Sequence, residues 1–160
     1  MSRLRAGERT AAAGAAALLV TLFLPWFGVD VTTPTGVVAG DSSTSGWDSL
    51  GWLVIVLALV GIGCAAWLAI ANATARPVAQ LVAASVLTSV AGTVAFVAVA
   101  LRALVFQPGP DELVVLRYGA WLGVAAALAL AIGGWWAIKD ERTDAPESAY
   151  TPPEPRPPPH

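Results

Sequence analysis

Apolar residues along this chain neither alternate nor recur as a one-sided stripe; they run on in four long stretches with short polar breaks between them. The stretches are Thr10–Phe27, Leu50–Ala71, Val78–Phe106 and Leu113–Ile138. Each is long enough to cross a hydrocarbon core of about 30 Å, which takes roughly 20 helical residues. The breaks carry helix-end chemistry. Pro25 and Gly28 close the first stretch, and Ser45 with Asp48 stands at capping-box spacing before the second. Pro77 suits the first turn of the third, after the short turn "NATAR". "QPGPDE" then interrupts the chain, so that Asp111 and Glu112 can cap the fourth.

The pattern predicts an all-α integral membrane protein, an antiparallel four-helix transmembrane bundle over residues 10–138. A basic cytoplasmic segment precedes it over 1–9, and a first outer loop occupies 28–49. Residues 139–160 form a cytoplasmic tail that turns polar and proline-rich from Asp144 and is expected to be extended and disordered. Two β-prone pieces flank "TPTG" in the outer loop, which reads either as a short β-hairpin or as an irregular Ser/Thr/Gly loop.

Composition agrees with the bilayer. Of 160 residues, 56% are hydrophobic and 12% charged, and the mean hydropathy is +0.67, too apolar for an ordinary soluble domain. A net charge of -2 and nine scattered basic residues exclude a nucleic-acid partner. Cys64 is the only cysteine and His160 the only histidine, so neither an intrachain disulfide nor a thiolate pair for a metal is available, and no metal or cofactor is expected. Lys139 is the sole lysine among many alanines and arginines, a bias of GC-rich bacterial genomes.

The basic residues set an orientation. Arg3, Arg5 and Arg9 precede the first stretch, Arg76 lies in the second connection, and Lys139 and Arg142 follow the fourth, whereas the loop from Val29 to Gly46 has none. The positive-inside rule makes both termini cytoplasmic in a multi-pass protein of the bacterial inner, or plasma, membrane. Arg102 and Arg117 stand near the opposite, outer end. The aromatics then fall into two belts, Trp26, Phe27, Trp47, Trp52, Phe106, Tyr118 and Trp121 outside and Trp67, Trp135 and Trp136 inside, as amphipathic rings do at membrane interfaces. The first stretch has a basic start, but its apolar length and "LPWFGVD" ending favour an uncleaved helix over a signal peptide.

Helices in lipid associate through small residues. At 100° per residue, Gly51, Val54, Ala58, Gly61, Ala65, Ala69 and Asn72 share one face of the second stretch. Ala84, Thr88, Ala91, Ala95 and Ala98 form a stripe on the third, and Gly119 and Gly123 lead one on the fourth. The central parts of the stretches contain no ionisable side chain, which argues against intramembrane hydrolysis or proton coupling. Ser85, Ser89 and Thr93 lie on one side of the third stretch, where hydroxyls most often bond the carbonyl one turn back. Polar groups concentrate at the outer end, where Arg102, Asp111, Glu112 and Asp48 form the candidate ligand or partner cluster. By helix phase Arg102 points into the bundle and needs a partner, expected among the three carboxylates, while Arg117 faces outward and snorkels as an interface anchor with Tyr118 and Trp121.

"LPWF" (Leu24 to Phe27), the "GW" entering the second stretch, and "LRYGAWLG" to "GGWWAIKDE" in the fourth resemble a group of small four-helix integral membrane proteins of actinobacteria. The resemblance covers most of residues 10–142 and implies topology and bacterial source; its motifs are packing and interface motifs and imply no activity. The expectation for function is a non-enzymatic accessory or scaffold component of the cell envelope, with the lipid bilayer and a membrane-protein partner or second copy as its contacts. The alternative is a small transporter or channel subunit whose path follows Ser85, Ser89 and Thr93.

Overall fold

The computed structural model describes residues 5–29, 42–74, 78–108 and 114–143. They form α1 (Ala6–Thr21), β1 (Pro25–Val29), β2 (Ser42–Ser45), α2 (Gly46–Ser49), α3 (Trp52–Ala73), α4 (Val78–Leu104), β3 (Val114–Leu116) and α5 (Tyr118–Thr143). Four long helices close into a ring: α1 packs on α5 and α3, α5 on α4, and α4 on α3. Neighbours run antiparallel, since Gly7 lies by Ala137 and Gly133 by Ala11, Gly134 by Ser89, and Gly61 by Ala95.

Three helices are long and apolar enough to cross a membrane: Trp52–Ala73, Gln80–Leu104 and Tyr118–Lys139. The first stretch departs from its predicted boundaries. Its helix starts at Ala6 and stops at Thr21, giving 16 residues, or about 24 Å at 1.5 Å per residue. Pro25 is the cause: the residue before a proline is pushed out of the α region. The chain therefore tightens through Phe23 N–H to Val20 O and Leu24 N–H to Thr21 O and enters β1.

The second stretch also begins differently. Ser45 is the N-cap of α2 rather than of the long helix, and its hydroxyl lies 2.7 Å from Asp48 Oδ2, bonding that carboxylate. Gly51 follows at φ 81, ψ 149, a backbone region open essentially to glycine, and separates α2 from α3. Gly51 is thus a joint, not a member of the small-residue face.

A three-stranded sheet in the order β2-β1-β3 covers one end of the ring. Its first pair is β1 antiparallel to β2, formed by the end of the first apolar stretch and by "SSTS"; the β-prone pieces expected to flank "TPTG" fall largely outside the described residues. The "TPTG" turn itself lies outside the described residues. The start of the fourth apolar stretch is not helical: Val114–Leu116 form the strand β3, and α5 begins only at Tyr118. Val114 and Val115 are β-branched and favour strands, and Val115 and Leu116 pair with Gly28 and Phe27 of β1.

The interior is built of small groups. Ala11, Ala58, Ala95, Ala120 and Ala127 are fully buried, with Leu18, Leu22, Trp26 and Leu130 as the large fillers. Bulky apolar residues lie outside instead: Leu53, Val60 and Ile70 on α3, Val82, Leu87 and Val90 on α4.

Candidate functional site

The sheet end holds Arg102 and Asp48, two of the residues singled out for binding. Arg102, in the last turn of α4, reaches across to the end of α2. Its Nε donates to Leu50 O at 3.1 Å, its Nη2 to Ser49 O at 2.9 Å, and its Nη1 to Phe106 O in its own chain segment. Carbonyls at a helix C-terminus lack intrahelical partners and carry the negative end of the helix dipole. A guanidinium with five fixed donors matches them. Arg102 therefore does point inward and is partnered, but by main-chain oxygens; the expected carboxylate partner is corrected for Asp48, which is engaged by Ser45 instead. Asp111 and Glu112 lie outside the described residues.

Arg117 is corrected as well. It links β3 to α5, its N–H donates to Trp26 O at 2.9 Å, and its guanidinium lies against Gly28, where a Cβ would stand 2.5 Å from Nε. The side chain is half-buried beside the sheet rather than snorkelling along an outward helix face. Helix phase misplaced it because the helix begins one residue later.

Trp26 is not an interface anchor. It is 0% exposed, and its indole N–H donates to Thr21 O at 2.6 Å, closing the end of α1. The register of β1 on β2 slips between Pro25 and Phe27, leaving Trp26 as the extra residue of a bulge, a device that re-aims a side chain. Two glycines make room for it: a Cβ on Gly123 would fall on the indole ring, and one on Gly46 would come within 2.8 Å of Nε1. Trp47 is half-buried and meets Phe23 edge-on at 5.7 Å. Tyr118, Trp121, Trp135 and Trp136 are exposed, as interface anchors must be; Trp135 also donates to Thr93 Oγ1 at 3.1 Å.

The packing residues behave largely as their spacing predicts. Gly61 and Ala65 are buried on α3, and a Cβ on Gly61 would contact Ala95 and Leu130. Gly119 and Gly123 allow close approach, against Pro25 and Trp26 rather than against a helix. Deeper in the membrane-length region the closest contacts use glycines not singled out beforehand. Gly14 would place a Cβ 2.5 Å from Leu130 N, Gly133 meets Ala11, and Gly134 would place one 2.7 Å from Ser89 Cα. The signal was present in the doublet Gly133-Gly134: consecutive residues differ by 100° around a helix, so two adjacent glycines let α5 approach two neighbours at once.

A cavity of about 160 Å³ opens at this end, lined by Phe27, Gly28, Thr44, Asp48, Ser49 and Val114 among others. Asp48 is its one ionisable lining residue among those described. No group of three His, Cys, Asp or Glu capable of holding a metal occurs among the described residues. Along α4, Ser85 and Ser89 are buried and donate to Val82 O and Val86 O, each at 2.9 Å, and Thr93 donates to Ser89 O at 2.7 Å. Their hydroxyls are engaged by the helix itself, and Gly134 of α5 lies directly against Ser89.

Comparison with known proteins returns no matching family model, no matching curated protein and no matching solved structure.

Proposed function

We propose that this chain is a non-enzymatic integral membrane protein, an accessory or scaffold component of the bacterial inner membrane, of the kind found among the small four-helix proteins of actinobacteria. The observation that carries the reading is the inverted distribution of side-chain size. Alanine, glycine and hydroxyl groups fill the interior while Leu, Val and Ile cover the outside of long helices, which is how helices pack where lipid, not water, surrounds them. A water-soluble monomer rarely leaves more than a few hundred Å² of contiguous apolar surface open.

Three helices cross, and α1 supplies a fourth crossing in this reading. Its 16 residues fall short of the bilayer core, and the extended segment after Leu22 completes the path. Non-helical backbone is tolerated at such depth where protein buries and pairs it, and Trp26, Phe27 and Gly28 are buried in the central strand of the sheet. Both termini are cytoplasmic on the distribution of Arg3, Arg5, Arg9, Arg76, Lys139 and Arg142. The sheet end, with Arg102 and Asp48, then faces outward and is the surface offered to a membrane-protein partner.

Cysteines introduced at Ser43 and Ser148 test the topology: an impermeant maleimide labels the first in intact cells and the second only after lysis. Labelling of Ser148→Cys in intact cells overturns it. Crosslinking in cells followed by mass spectrometry tests the scaffold role, with one stoichiometric membrane partner expected. Solute flux through liposomes holding the purified protein, above that of protein-free liposomes, replaces the scaffold with the transporter.

A further inference from the structure

We infer that the cavity between the sheet and α2 is a binding site for one primary alkylammonium group, a short apolar chain ending in an ammonium, with Asp48 as its counter-ion. The first observation is shape. Phe27 pairs with Thr44 of β2, and Val29, two residues on, pairs with Val114 of β3. Cross-strand partners and alternate residues share a face, so Phe27, Thr44 and Val114 project to one side of the sheet. Together with Asp48, Ser49 and Pro108 they line a space of about 160 Å³. An apolar cavity of about this size accepts a molecule of roughly six heavy atoms, and Phe27, Pro108 and Val114 supply apolar walls for the body of such a chain.

The second observation is hydrogen-bond polarity. A hydroxyl has one proton to donate, and both hydroxyls of the lining residues have committed theirs to main-chain oxygens: Thr44 Oγ1 donates to Phe27 O at 3.4 Å, and Ser49 Oγ to Ser45 O at 2.6 Å. Lone pairs are what they have left. The Asp48 carboxylate also accepts only. Every polar side chain among the described lining residues is therefore an acceptor, and a ligand has to bring the donors. A primary ammonium brings three and no acceptor. An ethanolamine lipid matches less well, because its phosphate would follow the ammonium to a lining whose side chains offer no donor.

The third observation is charge. Among the described residues Asp48 has one polar partner, the neutral Ser45 hydroxyl at 2.7 Å, which orients the carboxylate without compensating its charge. The cations of this end are placed elsewhere. Arg102 does not line the cavity and donates to Ser49 O, Leu50 O and Phe106 O. Arg117 lies on the side of β1 to which a Gly28 Cβ would point; successive strand residues face opposite ways, so it is turned away from Phe27 and the cavity. Apart from Arg117, residues 28–51 and 105–117 contain no basic residue.

The test titrates the full chain, held in phosphatidylcholine nanodiscs near neutral pH, with n-butylammonium chloride, and reads binding by saturation-transfer difference NMR against protein-free nanodiscs. Saturable binding at about millimolar concentration is expected. n-Butanol, of the same shape but neutral, and tetramethylammonium, charged but without a donor, are expected to bind about tenfold more weakly. Asp48→Asn keeps an acceptor for Ser45 and loses the charge, and should weaken n-butylammonium about tenfold; Thr44→Val, of similar shape, should weaken it about threefold. Binding of n-butanol or tetramethylammonium as tight as that of n-butylammonium, an unchanged affinity in Asp48→Asn, or no saturable binding by wild type overturns the site. A capped lysine, N-acetyl-lysine methylamide, identifies the source of the ammonium. Affinity equal to that of n-butylammonium assigns the cavity to a lysine of a protein partner, and exclusion of the capped residue assigns it to a free amine; both uphold the site. The cavity is intrinsic to the chain, so the site stands whichever way the sheet end faces, and labelling at Ser43 and Ser148 decides that separately.

Discussion

Replacing Arg102 with leucine removes the group that ties the last turn of α4 to the end of α2. Two of its hydrogen bonds end on Ser49 O and Leu50 O, carbonyls of residues that are 5% and 1% exposed. Leucine approximates the aliphatic stem but donates nothing, so these oxygens lose their charged partner. A hydrogen bond to a charged group contributes about 1.5–3 kcal/mol, and an orphaned buried acceptor costs about 1–3 kcal/mol. The third bond, to Phe106 O, is exposed and adds little because water replaces it. Since water also reaches part of the half-buried guanidinium, the expected loss is about 2–4 kcal/mol, below the full sum of two charged bonds. Lysine at this position keeps the charge but cannot present the planar fork, and is expected to recover less than half of the loss. Stability is read by SDS titration of the protein in mixed micelles, followed by far-ultraviolet circular dichroism. Because Asp48 is engaged by Ser45 and not by Arg102, Asp48→Asn combined with Arg102→Leu should be additive within about 0.5 kcal/mol. A loss under about 1 kcal/mol, or coupling to Asp48 well above additivity, would refute the carbonyl-capping account.

Gly51→Ala meets no neighbouring atom within 4 Å, so its whole cost is conformational, about 1–3 kcal/mol for a side chain forced into that backbone region; a neutral result in the same titration would mean that the joint between α2 and α3 relaxes freely. Gly123→Leu drives a side chain into the fully buried Trp26 ring and should cost 3 kcal/mol or more, above the usual range of about 1–3 kcal/mol for overpacking, while Leu128→Ala, at an exposed position, should cost less than about 1 kcal/mol. Equal melting of Gly123→Leu and wild type removes the assigned packing. Trp26→Phe loses the bond to Thr21 O and part of the ring volume; a drop of about 2 kcal/mol and a blue-shifted component missing from the fluorescence spectrum are expected.

Run length and composition were sufficient to specify apolar helices, because the thickness of a bilayer imposes a length that no internal contact alters. Small-residue spacing likewise exposed Gly61 and Ala65 as positions of close helix packing, whereas Gly119 and Gly123, expected to meet a helix, receive Pro25 and Trp26. Helix phase correctly turned Arg102 inward, and the belt residues Tyr118, Trp121, Trp135 and Trp136 are at the surface as expected. What the one-dimensional pattern could not supply was pairing between distant segments. "PWFGV" and "VVL" are apolar enough to extend a helix, and only their hydrogen bonding to each other, through Phe27 with Leu116 and Gly28 with Val115, makes them strands. That pairing continued the break that Pro25 makes after α1, delayed α5 and moved Trp26 from the interface to the core. It also placed Arg117 beside Gly28. The partner of Arg102 was hidden for a related reason: a carboxylate is visible in a sequence, whereas an unsatisfied carbonyl exists only once α2 has ended at Ser49 and Gly51 has turned the chain away. The sealing of Ser85 and Ser89 depends in the same way on Gly134, forty-five residues beyond Ser89 in the chain and adjacent to it in space.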